Sequence, residues 1–109
     1  MNLVLQAIAE PRRRDILRLI QRAELSSGAI AAHFDVTRPA ISQHLQVLAA
    51  AGLVSVRRDG TRRLYLARRE GLSELRRFLE QFWDDSLLRL KQAAEAEERR
   101  LEQDDTTAL

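Results

Sequence analysis

Arg38, Ser42, Gln43 and Gln46 are hydrogen-bonding side chains whose spacing gathers them on one face of a helix. Short or planar donors and acceptors of this kind can reach base edges in a DNA major groove. A merely solvated face would more often carry Glu and Lys. Thr37 stands where a helix N-cap belongs, and Pro39 falls in the first turn, where a missing N–H costs nothing. His44 lies beside the apolar stripe of the same helix, so a structural hydrogen bond competes with base contact. The candidate nucleic-acid contacts here are Thr37, Arg38, Pro39, Ser42, Gln43, His44 and Gln46.

A second group of four arginines, Arg57, Arg58, Arg62 and Arg63, flanks an Asp59-Gly60 turn signal. Val54 and Val56 alternate with polar residues on one side of it, Leu64 and Leu66 on the other, as in a β-hairpin. If both pairs face the same side, Arg58 stands opposite Arg62 across a three-residue loop, Asp59-Gly60-Thr61. Like charges facing one another destabilise a hairpin unless an anion lies nearby, and a phosphate backbone would supply it. The competing use is an edge charged to discourage aggregation.

The elements that must hold these groups follow from local signals. Leu3 to Ala9 reads as a short helix, ended by Glu10-Pro11. Pro11 opens a second helix to about Arg22, with Ile16, Leu17 and Ile20 inward. Its Arg12, Arg13, Arg14 and Arg18 point mostly outward, either onto phosphates or into water. A third helix runs from near Ser26 to Phe34, and Asp35-Val36 turns the chain into a fourth, Arg38 to about Ala51, stopped by Gly52. Leu25 with Ile30, and Val36 with Ile41, have the spacing of hydrophobic staples. Ile41, Leu45 and Leu48 form the buried stripe of the fourth helix. Helix, tight turn and second helix make a helix-turn-helix arrangement.

The last element is a long helix from about Glu70 to the mid-90s. Leu72, Leu75, Leu79, Phe82 and Leu90 form its stripe, widened by Phe78, Trp83 and Leu87. One small domain cannot bury so much apolar surface against itself, so a partner helix is expected, most simply from a second copy. Leu3 and Leu5 of the first helix join the expected dimer surface. Phe82 and Trp83 could alternatively shelter a small hydrophobic ligand. Residues 1–94 read as one domain, and 95–109 as a polar helical extension or tail.

Composition narrows the classes. At 109 residues and 45% hydrophobic content, this is a single folded domain. Residues 1–69 carry 12 Arg against five Asp and Glu, a surplus of seven positive charges. Residues 70–109 carry six Lys and Arg against 11 Asp and Glu, a surplus of five negative charges. A polyanionic partner therefore suits the first part alone. Without cysteine there is no disulfide or thiolate chemistry. No signal-peptide pattern or membrane-length apolar run occurs, so the expected place is the cytoplasm, with no membrane partner.

Catalysis is not expected. The adjacent carboxylates Asp84 and Asp85 diverge by about 100° on a helix, and no glycine-rich phosphate loop is present. His33 and His44 sit on different helices without supporting ligands, so neither a metal nor another cofactor is implied.

Taken in order, three segments resemble one family. Ala7-Ile8-Ala9-Glu10-Pro11-Arg12-Arg13-Arg14-Asp15-Ile16-Leu17 is similar to the opening signature of the ArsR family of bacterial winged-helix repressors. Thr37 through Leu45, with Val47-Leu48 and Ala51-Gly52-Leu53-Val54, resembles that family's recognition helix and exit, and Gly60 to Tyr65 its wing. The resemblance spans roughly residues 3 to 92. It implies a mainly α fold with a small β-hairpin, a winged helix-turn-helix dimerising through its terminal helices. It further implies a repressor on a double-stranded operator of inverted-repeat symmetry, autoregulatory in some arrangements, and assigns DNA contact to Thr37, Arg38, Ser42 and Gln43.

The sensing positions depart from the family. Many members carry a Cys-x-Cys pair where Ser26 and Gly28 stand, and others use histidines of the last helices, whereas here no histidine follows His44. The chain thus resembles the cysteine-free members, with no metal and no inducer named by its sequence. A winged helix serving protein interaction alone is the competing class. It would need neither the polar face nor the arginine-rich wing.

Overall fold

The computed structural model describes residues 1–107, with side chains through Asp104. It divides into two compact units, Met1–Leu75 and the chain from Arg76 onward. The first holds α1 (Asn2–Ala9), α2 (Pro11–Arg22), α3 (Ser27–Phe34), α4 (Arg38–Ala50), β1 (Val54–Asp59) and β2 (Arg62–Ala67). A 3₁₀ turn, Arg69–Leu72, leads into α5 (Ser73–Thr107), most of which forms the second unit.

Each helix boundary has a local cause. Pro11 forces the residue before it out of helical geometry, so α1 ends and Glu10 becomes extended (φ −86°, ψ 122°). The Glu10 carboxylate then accepts the Arg12 N–H at the start of α2. Ser26 and Thr37 cap α3 and α4, their hydroxyls accepting the N–H groups of Ala29 (3.2 Å) and Ala40 (3.3 Å).

The ends of α3 and α4 are built alike. At α4, Leu53 N–H bonds to Leu48 O and Gly52 N–H to Ala49 O, both at 3.0 Å, with Gly52 at φ +75°. This is the Schellman motif. At α3, Val36 N–H bonds to Ala31 O and Asp35 N–H to Ala32 O, with Asp35 in the glycine's place at φ +55°. Asp is among the few side chains that tolerate the left-handed region.

The core draws on every element of the first unit up to β1. Ala7, Ile16, Ile20, Ile30, Ala31, Ile41, Leu45, Leu48, Leu53 and Val54 are buried, and Leu17, Leu25, Phe34, Val36 and Tyr65 pack around them. Each large aliphatic side chain among them contributes about 1.5–3 kcal/mol. The three-residue stripe of α4 is therefore what seats this helix and turns its other half to solvent.

Three expectations need correction. The hairpin register is shifted by one residue: Val54 pairs with Ala67, Val56 with Tyr65, Arg58 with Arg63, and Asp59 with Arg62. The valines thus share a face with Tyr65 and Ala67, not with Leu64 and Leu66, because Tyr65 and Ala67 are the pair that packs on the core. The loop is the two residues Gly60-Thr61, with positive φ at Gly60 alone (+65°), the pattern of a type II′ turn.

Nor do the first three arginines of α2 project freely. Arg13 donates to Ala7 O (2.6 Å) and Gln6 O (2.9 Å), and Arg14 to Ile8 O (2.7 Å) and Ala9 O (3.2 Å). They satisfy the orphan carbonyls at the end of α1, where positive charge is favoured. Arg12 lies over the Phe34 ring at 5.0 Å, while Arg18 faces outward and pairs with Asp15.

Finally, α5 starts at Ser73, not near Glu70, because the 3₁₀ turn intervenes where Gly71 crosses the Gly52 carbonyl. It continues through Thr107, with Arg100 paired to Glu97 one turn away along the polar stretch.

Candidate nucleic-acid interface

The half of α4 opposite Ile41, Leu45 and Leu48 is open. Pro39, Gln43 and Gln46 are exposed along it, Thr37 and Arg38 are exposed at the start of the helix, and Ser42 is half-buried. Arg38 leans back over the first turn of α3. A β-carbon at Gly28 would stand 3.5 Å from its Nε and 3.7 Å from its Cζ, ordinary contact distances that show how directly the side chain lies on this turn. Ser26 thus has a structural task as a helix cap, and Gly28 lies beneath Arg38.

His44 does not join this face. It falls between Ala40 and Leu48 around the helix, half-buried on the packed half. Burial pushes its pKa below the ordinary histidine value, and the charges of Arg13 and Arg12 add to this against the opposing carboxylate of Glu10. Val47, which sequence reasoning passed over, is 39% exposed one turn beyond Gln43. Its position off the Ile41–Leu45–Leu48 stripe was the available signal, and an apolar group there suits a thymine methyl.

The hairpin splits its four arginines into different situations. Arg57 Nε donates to Glu24 Oε2 at 2.5 Å, a partner 33 residues away in sequence. Arg62 stands opposite Asp59, with their charged atoms 3.8 Å apart. Arg58 and Arg63 face each other across the strands, exposed, with no carboxylate among the described residues within ion-pairing distance. Cross-strand neighbours share a face, so these two guanidiniums make a like-charged pair.

The hairpin is tied to the helix-turn-helix by backbone. Leu25, just before the α3 cap, exchanges both hydrogen bonds with Tyr65 of β2 (3.2 and 2.8 Å). At its base, Arg68 N–H bonds to Leu53 O at 2.7 Å.

The apolar surfaces are separate features of each unit. On α1, Leu3 and Leu5 are 58% and 44% exposed. On α5, Leu75 is half-buried, and Phe78, Leu79, Phe82, Trp83, Leu87 and Leu90 are between 46% and 67% exposed. The rings of Phe82 and Trp83 meet edge-on, with centroids 6.4 Å apart. Among the described residues no group of three or more His, Asp or Glu could hold a metal ion, and no helix is long and apolar enough to cross a membrane.

Known proteins match this arrangement. Residues 8–57 fit the sequence profile of a family described as a helix-turn-helix domain. The HTH-type transcriptional regulator Rv2034 of Mycobacterium tuberculosis is 41% identical over 92 residues, covering 84% of this chain and 86% of that protein. The transcriptional repressor SdpR of Bacillus subtilis is 43% identical over 60 residues, 55% of this chain and 67% of its own. Among solved structures, an ArsR-like transcriptional regulator from Rhodococcus sp. RHA1 superposes with a TM-score of 0.73. Its identity to this chain is 35%, over 87% of this chain and 90% of that one. A homodimeric winged helix-turn-helix DNA-binding domain from Mycobacterium bovis has a TM-score of 0.62 at 33% identity, over 77% and 78%.

Proposed function

The chain belongs to the ArsR family of winged helix-turn-helix transcriptional regulators, and from that premise we propose how it acts. It is a DNA-binding regulator and not an enzyme. It works as a homodimeric repressor, as relatives named repressors and a homodimeric structural neighbour support. Its operator has inverted-repeat symmetry, with half-sites about one helical turn, ~34 Å, apart. The cytoplasm is where it meets that DNA.

One observation carries the division of labour. Arg58 and Arg63 are exposed and opposite, with no carboxylate among the described residues beside them, an arrangement relieved by a phosphate backbone. With register fixed there, Arg38, Ser42, Gln43 and Gln46 read base edges and Val47 adds apolar contact. Thr37 and Pro39 shape the entry of the helix, and His44 serves the packing behind it. The exposed apolar faces of α1 and α5 are the dimer surfaces. Arg57 and Arg62 are assigned lesser phosphate roles, since each already has an acidic neighbour.

The test is anisotropy of a labelled duplex from upstream of the chain's own gene, titrated with protein over excess random DNA. Saturable binding with two protomers per site, relaxed in sequence choice by Arg38→Ala, is the expected result. The base-reading part is worth about 1–3 kcal/mol of discrimination per bidentate contact. Binding that competitor abolishes would remove specific recognition at this site. No binding even at low salt would remove the DNA reading.

A further inference from the structure

We propose that Glu24 sets the chain's affinity for DNA by holding Arg57 away from the phosphate backbone. The inference rests on the reading that the hairpin meets phosphates. Glu24 lies in the connection between α2 and α3, and its side chain is 31% exposed, against 59% for the Arg57 side chain it engages. Their 2.5 Å contact is a charge-assisted hydrogen bond, the same kind that a phosphate oxygen would offer.

Both partners are fixed at the backbone. The next residue, Leu25, is bonded to Tyr65 in both directions, and Ser26 after it caps α3. Arg57 sits within a paired strand, opposite Leu64. Successive strand residues point to opposite faces, so Arg57 lies on the other face from Arg58 and Arg63. The hairpin therefore has one face with an open arginine pair and one whose two arginines, Arg57 and Arg62, each have a carboxylate beside them. Glu24 is what matches Arg57 on the second face, and so it acts on DNA through Arg57 as a positioning residue.

The experiment compares wild type, Glu24→Gln, Arg57→Ala and the double variant on a random-sequence duplex between 50 and 200 mM salt. Thermal melts establish that each is folded, and Glu24→Ala is carried alongside as a second way of removing the carboxylate. Releasing Arg57 adds one phosphate contact per protomer. The log–log salt slope of a dimer then steepens by about 1.8, roughly a twelvefold greater loss of affinity over that range. Glu24→Gln and Glu24→Ala are both expected to bind more tightly than wild type at 50 mM and to show this steeper slope. The gain is expected to vanish when Arg57 is alanine. An unchanged or shallower slope in both Glu24 variants overturns the inference, and so does a gain that survives without Arg57, which would make Glu24 only a source of repulsion. If wild type itself shows no salt-dependent binding, the DNA reading falls and the inference with it.

Discussion

Gly71→Ala is the substitution whose cost the structure defines most sharply. A β-carbon at this position would stand 2.2 Å from the Gly52 carbonyl oxygen, 2.9 Å from its carbon and 3.0 Å from Leu53 Cδ2. Ordinary contact needs roughly 3.5 Å, so backbone must separate by more than an ångström. Gly52 cannot yield easily: its N–H closes the end of α4 at 3.0 Å, and its carbonyl accepts the Arg68 guanidinium at 3.2 Å. Moving the 3₁₀ turn instead pulls the Gly71 N–H from Arg68 O, now 3.1 Å away. Overpacking costs about 1–3 kcal/mol and a lost hydrogen bond about 1 more. The reduced freedom of the unfolded chain returns about 0.4–1 kcal/mol. A net loss of about 2 kcal/mol is expected, read as a lower midpoint in urea by far-UV circular dichroism. Protein concentration must be fixed, because a dimer's stability depends on it. Gly60→Ala is the contrasting case: φ is positive there (+65°), unlike at Gly71, and nothing lies within 4 Å of its β-carbon, so it reads backbone strain without a clash. A Gly71→Ala protein as stable as wild type would refute the reasoning.

Three further outcomes follow from the same geometry. On the proposed reading, replacing Arg58 and Arg63 together by alanine removes four phosphate contacts per dimer. The log–log salt slope should fall by about 3.6, against a much smaller change for Arg57→Ala, and equal slopes would sink the distinction. His44 has a lowered pKa, so as pH falls through about 6.5 the unfolded chain takes the proton first and stability declines. Melting temperatures at pH 7.5 and 5.5 should differ more for wild type than for His44→Gln, and parallel curves would count against the burial of the imidazole. Trp83→Ala should weaken the dimer by about 2 kcal/mol, near thirtyfold in Kd by sedimentation equilibrium, and an unaltered Kd would move the interface off this ring.

What the sequence made legible was local. Thr37 as a cap, the Leu25–Ile30 staple, Pro11 as a helix opener and the Ile41–Leu45–Leu48 stripe each act within a few residues, and the helix-turn-helix follows from them. The face shared by Arg38, Ser42 and Gln46 is legible for the same reason. The hairpin register was not, because Leu64 and Leu66 look more like core than Tyr65 and Ala67 until the packing partners are known. Asp59-Gly60 also looks like a loop pair, although Asp59 remains in the strand. Arginines were the least legible of all. Nothing near Arg13 in sequence announces the carbonyls of Gln6 and Ala7, and nothing near Arg57 announces Glu24.

On α4, the residues that secure the fold and those turned to solvent divide the helix between them almost without overlap. Ile41, Leu45 and Leu48 stay inside while Arg38, Gln43, Gln46 and Val47 stay outside. Exposed substitutions away from caps and cores usually change stability by less than about 0.5 kcal/mol. Descendants of such a protein can therefore drift to new operators through the outer positions while the scaffold holds. Thr37 is the exception, since its hydroxyl caps the helix and cannot be traded for sequence preference without loosening the fold. A lineage that diverges in its targets should vary most at positions 38, 43, 46 and 47, and least at 37.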